Sequence, residues 1–160
     1  RSSASMLYMK DYGETYWVFP FNFNPCLTPV KSFKTLSFET KAIDNIFSVL
    51  NSSLFYIFHT TISDCWHLGT WHLAEFPISV CDLQIPLSKK LSSSMKTNRI
   101  VRYDKRAGGD IYEYKIYKSK PIIDEIDKLL ASHYGFTEEE LDFIINYDIK
   151  YRMGDELNEE

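Results

Sequence analysis

Between positions 6 and 38 the chain is aromatic and strand-like: Met6–Met9 and Thr15–Phe19 flank Asp11-Tyr12-Gly13-Glu14, which suits a hairpin tip. Pro20, Pro25 and Pro29 then interrupt regular structure, and a short alternating strand follows over Lys34–Phe38. After Thr40, a permissible N-cap, apolar residues fall at Ile43, Ile46, Phe47, Leu50, Leu54, Ile57 and Phe58, the spacing of one helix face. This predicts a central helix, with Asn51-Ser52-Ser53 as the place for a break.

Residues 63–72 mix turn formers with polar and aromatic side chains and predict an irregular loop, in which Trp66 and Trp71 are expected to anchor in the core. The Ser- and Lys-rich stretch Ser88–Lys96 is expected to be a mobile linker. Period-two alternation over Arg99–Arg106 and Ile111–Tyr117, around Ala107-Gly108-Gly109-Asp110, predicts a β-hairpin.

Pro121 suits a first helical position, and Ile122, Ile126, Leu129 and Leu130 form an apolar stripe that stops before Gly135, a natural helix terminator. Thr137 and Glu140 make a capping box for a second helix whose buried face is Leu141, Ile144 and Ile145. The expected architecture is a single α+β domain over residues 1–160. Residues 1–85 form an aromatic sheet region with the central helix, and 86–120 a basic linker and β-hairpin; an αα-hairpin over 121–154 and an acidic tail over 155–160 follow.

Composition narrows the classes. With 160 residues, 44% of them hydrophobic, the chain can bury a core without disulfides or a structural metal. No apolar run nears the roughly 20 residues that a membrane helix requires, so no membrane association is expected. Three cysteines at wide spacing fit reduced thiols in a cytoplasm. The chain opens at Arg1 without an initiator methionine or a leader pattern, so it is expected to be a piece of a longer protein.

The net charge of −4 would disfavour nucleic acid if it were evenly spread, but residues 86–120 carry +7 while residues 121–160 carry −9. The hairpin cations Arg99, Arg102, Lys105, Arg106, Lys115 and Lys118 alternate with Tyr103, Tyr112, Tyr114 and Tyr117. A two-stranded ribbon fits a DNA major groove, where basic side chains follow phosphates and arginine pairs with guanine. The competing reading is a solvated surface hairpin. Ser63, Asp64, Trp66 and His67 add donors, acceptors and rings on one loop, as base-edge readers require.

Two metal-dependent readings compete. Cys65, His67, His72 and Cys81 could be written as zinc ligands, although their spacing matches no regular pattern. Asp104 with Glu113-Tyr114-Lys115 is similar to the acidic-x-Lys core with which Mg²⁺-dependent nucleases activate water. Asn24-Pro25 shares only two residues with the Asn-Pro-Pro-aromatic motif of adenine methyltransferases and is expected to be a loop.

Two stretches resemble a known family. The first runs from Leu50 through Ser63-Asp64-Cys65 to Phe76-Pro77-Ile78; the second runs from Lys118 through Pro121, His133-Tyr134-Gly135 and Glu139-Glu140-Leu141-Asp142 to Gly154. Together they look like the TaqI-like specificity region at the C-terminus of adenine-specific DNA methyltransferases of type II restriction-modification systems, including methylase-endonuclease fusions. The resemblance implies a target-recognition domain that binds double-stranded DNA beside an upstream catalytic methyltransferase domain, in a cytoplasmic bacterial enzyme. The upstream domain would bind S-adenosylmethionine and flip the adenine, with Mg²⁺ needed only if an endonuclease is fused. The fragment itself would hold no catalytic residue, cofactor or metal. A protein–protein assembly module working through the acidic helices is the reading of a different class.

Overall fold

The computed structural model describes residues 4–10, 17, 19–27, 33–77, 85–105 and 108–154. The fold is α+β. Strand β1 (Ala4–Lys10) pairs antiparallel with β2 (Phe33–Glu39), Leu7 opposite Leu36. Leu7 and Met9 point into the core while Met6 is exposed, the period of two that a one-sided strand requires. The expected tip at residues 11–14 lies outside the described residues. On its other edge β1 meets the neighbouring segment at an antiparallel bridge between Tyr8 and Phe21, N···O 2.8 Å in both directions, and most of the expected partner strand, residues 15, 16 and 18, lies outside the described residues.

Helix α1 (Thr40–Leu50) begins one residue earlier than expected, with Glu39 at the N-cap position but without a side-chain cap bond, and buries Ile43, Phe47 and Leu50. The break at Asn51-Ser52 is real: the Ser52 hydroxyl accepts from Phe55 N at 3.0 Å and starts α2 (Ser53–Ile62). The stretch read as loop keeps that character only to Gly69, since Thr70–Glu75 is a short helix, α3.

The Ser- and Lys-rich stretch is not a linker. It is helix α4 (Ser88–Thr97), with Leu91 and Met95 almost fully buried one turn apart. Two well-placed apolar residues decide the matter, because an i, i+4 pair anchors a helix even when the other positions are serine and lysine.

The basic hairpin is present as β3 (Arg99–Asp104) and β4 (Gly109–Tyr114); β3 begins where expected, while β4 starts before Ile111 and ends at Tyr114, short of the expected Tyr117. Beyond Tyr114 the chain leaves the ladder for a 3₁₀ turn, Ile116–Ser119, which sinks Ile116 and Ser119 into the core. Helix α5 (Lys120–Tyr134) carries Pro121 in its first turn and ends at Gly135, whose φ of 72° is the left-handed region that glycine adopts at no steric cost. Its buried stripe is Ile122, Ile123, Ile126 and Leu130; Leu129, expected inside, is 38% exposed. The register is turned so that Asp127 also faces inward.

Helix α6 (Glu138–Asn146) has the expected capping box, Thr137 with Glu140. A last short helix, α7 (Ile149–Met153), follows Asp148 and carries a buried arginine, Arg152. One contiguous apolar cluster runs from Leu7 through Phe21, Phe47, Phe55, Leu91 and Ile116 to Leu130, so sheet, central helices and α5 share a core.

Polar groups stitch that core. The Asp127 carboxylate accepts from Ser53 N at 3.2 Å and Leu54 N at 3.3 Å, satisfying the open start of α2. Arg152 donates from Nη1 to Ser53 Oγ at 3.0 Å, and its guanidinium lies 4.4 Å from the Trp17 ring and 4.8 Å from that of Tyr56. Lys120 donates to Ile145 O at 2.9 Å and pairs with Asp124. No described helix is long and apolar enough to cross a membrane.

Candidate nucleic-acid interface

The register of the β3/β4 ladder sorts the hairpin side chains onto two faces, because directly opposed residues point the same way. One face holds Arg99, Val101 and Tyr103 with Tyr114, Tyr112 and Asp110; the other holds Ile100, Arg102 and Asp104 with Glu113, Ile111 and Gly109. At its base the first face is fastened to the core. Tyr114 packs on Phe21 with ring centroids 4.6 Å apart and donates its hydroxyl to Pro25 O at 3.0 Å. Burial raises the Tyr114 pKa, so the hydroxyl stays a donor.

Further out the packing stops. Ile100, Val101 and Tyr103 are 47%, 58% and 61% exposed, so consecutive residues on opposite faces all meet solvent. Such a strand is not half of a core sheet; it stands away from the body as an arm. Arg99 lies over Tyr112, 4.0 Å from the ring centroid, and hydrogen-bonds the Tyr114 side chain, two contacts that hold the guanidinium in place. Lys105 is exposed at the turn, and Arg106 lies outside the described residues. Lys118 is exposed on the 3₁₀ turn rather than on the hairpin, beside Tyr117.

Arg102 and Glu113 of the second face line a charged groove of about 400 Å³, together with Lys10, Lys115 and Tyr117 and the β4 residues Ile111, Tyr112 and Tyr114. Glu113 sits between two cations: Oε2 accepts from Arg102 Nε at 2.7 Å, and Oε1 accepts from Lys115 Nζ. The Lys115 hydrogen bond, then the Arg102 charge, hold the Glu113 carboxyl below its usual range. Asp104 is on the same face, 3.7 Å from Arg102 Nη2. Burial brings the Lys10 ammonium down to about 8. Nothing in the local sequence marks Lys10 for this place; the strand pairing alone delivers it.

The loop of residues 63–69 is built by Asp64. Its Oδ1 accepts from Trp66 N at 3.0 Å and His67 N at 2.8 Å, and its Oδ2 meets His67 Nδ1 at 2.5 Å. These bonds, with His67 first, depress the Asp64 pKa and fix the loop, with Cys65 at a φ of 60° on its crest. Ser63 Oγ caps Cys65 N at 3.0 Å and lies 3.4 Å from His59 Nε2. Trp66 and Trp71 are 56% and 51% exposed, which overturns the expectation that they anchor the core. The anchors are instead Leu68 in the loop and His72 in α3, with Trp71 stacked on the His72 ring at 3.7 Å.

Among the described residues no group of three or more His, Cys, Asp or Glu could hold a metal ion. His67 points outward and pairs with Asp64, while His72 is buried and takes the Gly69 N–H at 2.9 Å. Cys81 lies outside the described residues. In the acidic-x-Lys group the Arg102 guanidinium already sits between Asp104 and Glu113.

A separate apolar recess lies at the helical end, lined by Phe136, Phe143 and Ile144 with Glu139 and Glu140. Phe143 is 61% exposed there. No protein-family model, curated protein or solved structure matches the chain.

Proposed function

We propose that the chain is a sequence-specific reader of duplex DNA, the target-recognition module of a restriction-modification N6-adenine methyltransferase whose catalytic domain lies elsewhere. One observation carries the reading: in a two-stranded arm bearing Arg99, Arg102 and Lys105, strand β3 exposes Ile100 and Arg102 on one face and Val101 and Tyr103 on the other, while the root of the arm is clamped to the core. A rigid, cationic ribbon of this kind can follow phosphates and present side chains to a major groove. The exposed rings of Trp66, on the loop pinned by Asp64, and of Trp71, at the start of α3, offer a second contact surface away from the hairpin. On this reading no cofactor binds here, and S-adenosylmethionine belongs to the partner domain.

Mapping N6-methyladenine tests it, in a methylation-free host expressing the parent gene intact or with residues 1–160 exchanged for a relative's. The exchange is expected to change the methylated motif. An unaltered motif removes the specificity role. In direct binding, Arg99→Ala and Lys105→Ala should each flatten the salt dependence of duplex affinity by about 1 unit in the log–log slope.

The assembly reading has one observation of its own, Phe143 exposed beside Glu139 and Glu140. It predicts that Phe143→Ala abolishes association with the catalytic domain supplied in trans while duplex affinity persists. The nuclease reading gains nothing from the geometry, because Arg102 holds the two carboxylates that a Mg²⁺ ion would need.

A further inference from the structure

We propose that the Glu113 carboxylate is an internal stand-in for a DNA backbone phosphate, seated between Arg102 and Lys115 and expelled when duplex DNA docks on this face of the hairpin. The inference rests on the DNA-reading role of the arm and adds to it a place for phosphate and a residue that controls access to that place.

The geometry points there. Each Glu113 oxygen meets a different cation, Arg102 Nε at 2.7 Å and Lys115 Nζ, which is how two non-bridging phosphate oxygens would divide themselves between the same donors. The strand register puts Arg102 and Glu113 on one face, and the ion pair with Glu113 brings Lys115, just past the end of β4, to the same carboxylate. Lys10 lines the same groove, which at about 400 Å³ is far roomier than a phosphate group needs.

The exchange is electrostatically even. A carboxylate and a phosphodiester each carry one negative charge, so the two cations stay neutralised while Glu113 swings out into water. Its side chain is 31% exposed and that of Arg102 53%, so this is a surface pair whose opening costs little. Asp104, at 3.7 Å from Arg102, is the other carboxylate of that face among the described residues and too distant to replace Glu113 fully. The consequence is a damped sequence-independent attraction: every docking must first displace Glu113, so weak phosphate-only encounters are penalised.

The test is a fluorescence-anisotropy titration of the chain with a random-sequence duplex over a series of salt concentrations. Glu113→Gln keeps the shape and removes the charge. It should tighten binding on the order of ten-fold near 100 mM salt and steepen the log K against log salt slope by about 1 to 2, as the released cations take up phosphates. Glu113→Asp, which keeps the charge but shortens its reach, should give a smaller gain. Arg102→Ala added to Glu113→Gln should erase most of the gain. If Glu113→Gln leaves affinity and slope as in the unmodified chain, the stand-in role is wrong. If binding weakens, Glu113 positions Arg102 instead. If neither the unmodified chain nor any variant binds duplex, the DNA-reading role falls together with the inference.

Discussion

Two regions of this molecule gather arginine, lysine and carboxylates, and they use them in opposite ways. At the helical end, Arg152 and Lys120 are 2% and 3% exposed and Asp127 is 1% exposed, each held by neighbours fixed in the core. On the hairpin, Arg102, Glu113 and Lys115 pair with one another at the surface, half in water. A buried charge without its partner bears a desolvation cost, so its partners are structural. A surface pair is worth little to the fold and can exchange partners. The same residue types therefore mark a scaffold in one place and an available surface in the other.

The sharpest way to break the comparison is to truncate one arginine in each region. Arg152→Ala leaves the Ser53 hydroxyl without its donor and opens space between Trp17 and Tyr56. It should lower unfolding free energy by about 3 to 5 kcal/mol in urea titration. Arg102→Ala should cost no more than about 1 kcal/mol in the same measurement. Equal losses would mean that the hairpin pair is as structural as the buried one.

Proton linkage separates the regions next. Burial pushes the Asp127 carboxyl up to about 6, against the favourable Ser53 and Leu54 hydrogen bonds and the Lys120 and Arg152 charges. Because the folded state then binds a proton more tightly than the unfolded chain, this group's contribution is greatest below about pH 4 and declines as pH rises through 6. The span is on the order of 2 to 3 kcal/mol. Asp127→Asn cannot titrate, so its stability relative to the unmodified chain should be lowest near pH 4, climb to pH 6 and stay flat above. A difference that is flat throughout would place the ionised carboxylate at no disadvantage in the core.

How much of this was legible in the chain depends on whether the deciding contact is local. Pro121, Gly135 and the Thr137/Glu140 box act within a few residues, so the helical pair and its joint could be read directly, as could the break at Asn51-Ser52. The β1–β2 pairing could not, because Phe33–Glu39 is remote in sequence from Ala4–Lys10 and no local signal in either strand names the other. Helix α4 hid behind its serines: Leu91 and Met95 were visible, but their burial depends on α1 and α5. Trp66 and Trp71 misled for a related reason, since ring size argues for the core and only the Asp64-built loop, for Trp66, and the register of α3, which buries His72 instead, for Trp71, turn them outward. The cations of the hairpin were legible as a set; the way Glu113 occupies two of them required the strand register.

The smallest effect expected on folding is also the most discriminating test of the arm. Val101 and Tyr103 share a face yet rest on little, at 58% and 61% exposed. Replacing both by threonine keeps a β-branched residue in the strand and removes apolar surface from water. If the arm stands clear of the core, unfolding free energy should move by no more than about 0.5 kcal/mol, within the usual range for surface changes. The same double variant should weaken duplex binding several-fold at constant salt slope, because it deletes groove contacts and leaves the phosphate contacts intact. A stability loss of about 2 kcal/mol would instead show that the arm folds back onto the body in solution, and the contrast between a packed charge cluster and an available one would close.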